Sequence, residues 1–102
     1  MSDSPALLTS AANQLQKIFE LDNLAGADAE ALLRKLSRVV QHMLRADLNR
    51  LLHVLYRIDV EEQQVKQALL AGSEEEIAEQ MARLIIKREL QKAQTRFMYR
   101  SK

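Results

Sequence analysis

The chain has 102 residues, 47% of them hydrophobic, which is enough for one domain with a real core but not for two. It contains no cysteine, so disulfides, thiolate catalysis and sulfur-ligated metal sites are excluded. Fifteen Lys and Arg against 14 Asp and Glu give a formal net charge of +1, which by itself does not indicate nucleic-acid binding.

Long helices are the expected secondary structure, because the chain has only two glycines and one proline with which to make turns. The first helix begins at Ser4 and Pro5, where serine caps the helix and proline fits its first position. Its apolar residues recur every three or four positions until about Leu21. Asp28 caps the second helix, whose apolar series continues without a breaker to Ile58.

Two strings that are typical of a capping box predict the last two helices. The string 59–62 opens a short third helix, with Asp59 as the capping residue. The string 73–76 opens a fourth helix, which is predicted to reach about residue 100. We therefore expect an all-α fold, a small four-helix bundle-like domain of two long and two shorter helices that spans residues 1–102.

The sequence indicates no targeting or membrane segment. The first five residues carry neither the basic stretch nor the apolar run of a signal peptide. The longest apolar runs, such as 68–71, fall far below the roughly 18 residues that a membrane span needs. The sequence therefore predicts a cytoplasmic protein with no membrane partner.

One acidic residue interrupts the apolar side of the second helix. On a wheel of about 100° per residue, Asp47 lies between Met43 and Leu51. Either the helix breaks and Asp47 caps a new segment, or its carboxylate lies in or near the core and needs a cationic partner. Arg88 continues the apolar line of the last helix, so we expect a structural ion pair between Asp47 and Arg88 that joins the two long helices.

The last helix has apolar residues on two sides. Its first half is apolar along Ile77 and Met81, whereas Leu90, Ala93 and Phe97 lie nearly opposite. An uninterrupted second helix would also be about 45 Å long, which exceeds the span of a compact domain of this size. Both observations favour apolar surface covered by a second copy, so a homodimer is expected; the alternative is that the shorter helices cover both sides.

No catalytic, cofactor or metal signature is found. His42 and His53 lie on one face but about 16 Å apart along the helix axis, too far to hold one metal ion. The two glycines are too few for a phosphate-binding loop. The leading interpretation is therefore a helical interaction or structural protein that needs no cofactor, with an unknown protein as a further partner.

Basic side chains support the alternative interpretation. They line the polar face of the second helix and the end of the last one, where Arg88, Lys92 and Arg96 repeat every four residues. Such a surface is typical of binding to nucleic acid or to an acidic protein, although the helix dipole and ordinary solvated faces explain the same residues. The candidate functional surface comprises His53, Tyr56, Arg57, Lys92 and Arg96.

A resemblance rests on two strings, LYRIDV at 55–60 and LIIKRELQK at 84–92. Together they resemble a family of small uncharacterised bacterial helical proteins of similar length, and the likeness covers roughly residues 40–96. The resemblance implies a bacterial cytosolic protein and implies no activity. It draws attention to Asp47, Tyr56, Arg57, Asp59 and Arg88.

Overall fold

The regular structure of the chain is helical. A computed structural model describes residues 4–100, so residues 1–3 at the start of the stretch examined for a signal peptide lie outside the described residues. The elements are α1 (Pro5–Phe19), α2 (Ala29–Ala46), α3 (Leu48–Ile58), α4 (Glu62–Ala68) and α5 (Glu74–Arg100). Within residues 4–100 there is no strand and 80% of the residues are helical, which confirms the predicted all-α fold.

Capping at both ends sets the bounds of α1. The Oγ of Ser4 accepts a hydrogen bond from Leu7 N at 3.2 Å, as the sequence predicts. At the other end, Glu20 adopts a left-handed backbone with a φ of 57°, which stops the helix just before the predicted end. The Gln16 Oε1 then accepts hydrogen bonds of 2.7 Å from two successive N–H groups of the next loop, one of them from the buried Leu24. These bonds tie the loop to α1.

The prediction of one long second helix is wrong, because the chain breaks at Asp47 into α2 and α3. Asp47 has a ψ of 65°, and its N–H donates to the carbonyl of Met43 at 2.9 Å, which ends α2. Its side chain accepts a hydrogen bond from Arg50 N at 3.2 Å, which starts α3. Helices of about 27 and 16 Å fit a molecule whose largest extent is 42 Å. The described chain therefore has five helices and not four.

The predicted ion pair between Asp47 and Arg88 is also wrong. Asp47 is exposed at the start of α3, and the Nη2 of Arg88 lies 3.4 Å from Asp59 Oδ2 instead. A carboxylate that caps a helix at the surface stays hydrated, so it needs no buried cation. The alternative interpretation, in which Asp47 caps a new segment, describes the structure.

Asp59 ends α3 and does not start α4. Its φ of 68° lies in the left-handed region, which Asp adopts more readily than most other non-glycine residues. Its N–H donates to two carbonyls in the last turn of α3, both at 3.1 Å. Helix α4 begins at Glu62 without a side-chain cap, so the predicted capping box at 59–62 is wrong.

Helix α5 is the central element and packs against each of the other four helices, most extensively against α2. It begins with the predicted capping box, in which Ser73 and Glu76 exchange two hydrogen bonds of 3.2 Å. Apolar sides of the other helices close over it. The largest fully buried apolar side chains are Leu15, Leu24, Leu32, Leu36, Leu51, Ile58, Met81 and Ile85.

The buried side of α5 is one continuous line and not the two opposite surfaces that the sequence suggested. Met81, Ile85, Glu89 and Ala93 follow one another at intervals of four, and all are buried. Glu89 occupies the one position of this line that is not apolar. Helix α1 packs against α5, so part of the cover expected from a second copy comes from the chain itself.

Replacing Asp47 tests its role as a helix cap. We expect Asp47→Ala to lower the free energy of unfolding by about 1 kcal/mol, because α3 loses a hydrogen bond in its first turn. Asp47→Asn keeps an accepting oxygen and should stay within about 0.5 kcal/mol of wild type. Urea denaturation followed by circular dichroism measures both values. Losses of about 3–5 kcal/mol in both variants would instead indicate a buried charge pair.

Candidate functional site

The outward side of α3 carries an exposed apolar line. Leu48, Leu52 and Tyr56 follow at intervals of four, and their side chains are 46%, 45% and 88% exposed. We call these three residues the α3 face. The adjoining side of the same helix, about 110° away around its axis, is buried through Leu51, Val54, Leu55 and Ile58. The α3 face borders the buried side, and the parts of it that stay exposed are apolar surface that this fold does not bury.

Two further residues of the predicted surface flank the α3 face. His53 and Arg57 are exposed on α3, and neither side chain forms an ion pair or hydrogen bond with another described residue. Tyr56 lies beside both and is the most exposed large hydrophobic residue of this helix. Three of the five residues predicted to form a functional surface therefore lie together.

The other two predicted residues lie on α5 and are engaged within the chain. The Nζ of Lys92 lies 3.4 Å from Glu89 Oε2, and the Nη2 of Arg96 donates to Ser10 Oγ on α1 at 3.0 Å. No hydrogen bond or ion pair among residues 4–100 joins Lys92 or Arg96 to the α3 face. The predicted surface residues thus form two groups and not one site.

Glu89 is a notable residue that the sequence interpretation missed. Its side chain is 1% exposed, and it is the one buried charged residue among those described. Its Oε1 has no hydrogen-bond partner among the described residues, while the neighbouring Lys92 remains 29% exposed. Burial of a carboxylate with one long ion pair is unfavourable. The available signal was its position four residues after Ile85 and four before Ala93.

Arg88 connects α5 to the end of α3 through hydrogen bonds. Its Nε donates to the carbonyl of Asp59 at 3.2 Å, and its Nη2 donates to Asp59 Oδ2 at 3.4 Å. Its Nη1 donates to Gln91 Oε1 at 3.4 Å. A groove of about 400 Å³ lies beside these contacts, between the α3–α4 turn and α5. All three guanidinium nitrogens of Arg88 are engaged, so we assign it a structural role.

A second line of exposed side chains, all basic, runs along α2. Arg34, Arg38 and His42 follow at intervals of four, and none pairs with another described residue. We call these three residues the basic line. Arg45, from the same predicted basic face, lies 2.6 Å from Glu74 at the start of α5. The basic face that the sequence predicts is thus partly neutralised within the chain, while Arg38 and His42 of that face stay unpaired.

Clusters typical of metal sites do not occur in this part of the molecule: among residues 4–100 no three His, Asp or Glu side chains lie close enough together to hold an ion. No helix in the same described range is both long and apolar enough to cross a membrane.

Substitutions at Glu89 and Lys92 test the cost of the buried carboxylate. Glu89→Met removes the charge and keeps most of the volume, so we expect the free energy of unfolding to stay unchanged or to rise by about 1–4 kcal/mol. Lys92→Met leaves the carboxylate without its cation and should lower this free energy by about 1–3 kcal/mol. This loss is smaller than that of a fully buried pair, because Lys92 reaches solvent. Urea denaturation measures both. A clear loss of stability in Glu89→Met would show that the carboxylate stabilises the fold.

Comparison with known proteins adds no assignment. No family model, no curated protein and no solved structure matches this chain. The likeness carried by the strings 55–60 and 84–92 therefore stays a prediction.

Proposed function

We propose that this chain is a non-catalytic helical interaction module that forms a homodimer through the α3 face. The observation that carries the proposal is the exposed line of Leu48, Leu52 and Tyr56 on a helix whose adjoining side is already buried. Tyrosine suits such a position, because its ring loses contact with water on binding while its hydroxyl remains hydrated at the edge.

The spacing of the α3 face allows it to pair with itself. Residues four apart form a ridge on a helix, and two such ridges pack at a crossing angle of about −50°. In a two-fold arrangement the middle residue, Leu52, meets its own copy, and Leu48 meets the Tyr56 of the second copy. The same three residues of each chain then form the interface.

The α3 face forms the apolar centre of the proposed interface. Full burial of an exposed leucine or aromatic side chain contributes about 1.5–3 kcal/mol. Leu48 and Leu52 are already about half buried, so each contributes roughly half of this, and the two-fold axis doubles each contribution. Stable interfaces cover about 800 Å² of each partner, so the neighbouring side chains belong to the contact as well. His53 and Arg57 are exposed beside the line and supply a polar rim.

A bacterial, cytoplasmic setting is part of the proposal, supported by the resemblance of the strings 55–60 and 84–92. So is a bundle-like architecture. Its support is that α2 and α3 follow each other directly along the chain and that α5 packs against all four other helices.

The alternative function is the binding of an acidic protein or a nucleic acid through the basic line. Its support is that Arg34, Arg38 and His42 are exposed and pair with no other described residue. Ionic contacts of this kind weaken steeply as the salt concentration rises, whereas apolar self-association does not. Binding measured at two ionic strengths therefore separates the two functions.

Light scattering coupled to gel filtration tests the dimer. We expect wild type to elute with twice the chain mass of 11.7 kDa and Leu52→Glu to elute as a monomer, because a carboxylate at the two-fold axis would meet its own copy. A wild-type protein that remains monomeric at the highest soluble concentration would contradict the proposal.

Leu70→Glu is the matched control. Leu70 is 84% exposed and lies outside the α3 face, so the same change of charge there should leave the dimer intact. Circular dichroism of both variants checks that the fold is retained. Equal dissociation in the two variants would point to a general effect of charge and not to the α3 face.

A further inference from the structure

A groove with cationic walls lies between the end of α1 and the junction of α2 with α3. It has a volume of about 470 Å³, and Phe19, Val39 and Met43 contribute apolar atoms to its lining. Arg38 and His42 of the basic line stand beside them. We call this feature the α1–α2 groove. Its size is in the range of grooves that hold a small ligand or a few side chains of a partner.

A second arginine, Arg50, lines the groove, and the end of α1 holds it in place. Its Nη2 donates to the carbonyl of Phe19 at 3.3 Å and lies 3.7 Å from Glu20 Oε2. The last carbonyls of a helix carry partial negative charge, so they hold a guanidinium in place. The Nε and Nη1 of Arg50 make no hydrogen bond with a described residue, which leaves them free to donate to an incoming group.

The charges around the groove are unbalanced. Arg38 and His42 pair with no described residue, and Glu20 is the one acid in the lining. Two guanidinium groups and an imidazole thus surround a floor of apolar atoms. Arginine binds carboxylates through two parallel hydrogen bonds, which gives such a site a preferred ligand chemistry.

We propose that the α1–α2 groove docks an acidic amphipathic segment of a partner protein. Carboxylates of that segment pair with Arg38 and Arg50, and its apolar side chains lie over Leu21 and Val39, the half-buried apolar residues of the lining. An amphipathic helix in an apolar groove is a recurring mode of peptide recognition, and charge complementarity selects an acidic one here. This inference rests on the proposed function as an interaction module, but it does not require the homodimer.

Nucleic acid fits the same groove less well. The side chain of Glu20 is 81% exposed and repels phosphate and carboxylate groups alike, so charge does not separate the two ligands. Single-stranded nucleic acid needs aromatic rings on which bases stack, whereas the one aromatic residue of the lining, Phe19, is 3% exposed. An acidic peptide makes use of both the guanidinium groups and the half-buried Leu21 and Val39.

The test uses the full chain and a fluorescent 14-residue peptide with leucine at helical spacing and glutamate elsewhere. Fluorescence anisotropy should show binding of this peptide and none of the same peptide with lysine in place of glutamate. Arg38→Glu should weaken binding by about tenfold or more, because a charge-assisted contact is replaced by repulsion. Arg34→Glu is the matched control on the same exposed side of α2; it lies outside the groove lining and should weaken binding far less.

Methyl NMR locates the peptide. The methyl signal of Met43, in the groove lining, should shift on addition of the glutamate peptide, while that of the fully buried Met81 on α5 should not. Failure of the wild-type chain to bind this peptide would overturn the proposal, and so would equal losses in Arg34→Glu and Arg38→Glu. Binding of a 12-nucleotide single-stranded DNA in preference to the peptide would overturn it in favour of nucleic acid.

The mass measured by light scattering reports on the homodimer independently of these assays. A dimer that binds no acidic peptide would refute the role of the groove and leave the α3 face as the interaction surface. A monomer whose Met43 signal shifts with the peptide would refute the homodimer through the α3 face and leave the α1–α2 groove as the interaction surface.

Discussion

The hydrogen bond between the Asp47 carboxylate and Arg50 N is the contact on which the positions of the exposed surfaces depend. It allows a new helix to start directly after α2, so the leucine side of α3 packs on α5. The same break lets Arg50 reach the last carbonyl of α1 and places the end of α3 against Arg88. The break at Asp47 thus sets where the α3 face and the α1–α2 groove lie, and the cap stabilises this break by about 1 kcal/mol.

Apolar burial, and not the ion pairs of α5, holds the central helix in place. The side chains of Arg88 and Asp59 are 35% and 81% exposed, so their pair contributes only about 0–1 kcal/mol. The pair of Glu89 and Lys92 lies within α5 and joins no other helix. Arg88 and Arg96 instead specify which parts of the chain meet α5, since each donates to a residue of a distant segment.

The sequence predicts the features that depend on a few neighbouring residues. The caps at Ser4 and Asp28 and the box at 73–76 need only a side chain and the backbone of the next turn, and the structure contains all three. The roles of Asp47 and Asp59 are harder to predict, because an aspartate can cap a helix, end one in the left-handed backbone conformation or pair with a distant cation. A helical wheel presumes a straight helix, so it placed Asp47 on the core side. The break between α2 and α3 leaves Asp47 exposed instead. On the same wheel, the position of Glu89 between Ile85 and Ala93 predicts a buried side chain, whereas its charge predicts an exposed one.

The two proposed interaction surfaces lie on different sides of α3. Arg50 precedes Leu52 by two residues, which places it about 200° around the helix from the middle of the α3 face. Self-association through the α3 face therefore leaves the α1–α2 groove of each chain directed away from the two-fold axis. A homodimer of this kind presents two identical cationic grooves. Such an arrangement favours a partner with two acidic segments, because the second contact forms at the high effective concentration set by the first and strengthens binding by about 10²–10⁴-fold without any new chemistry.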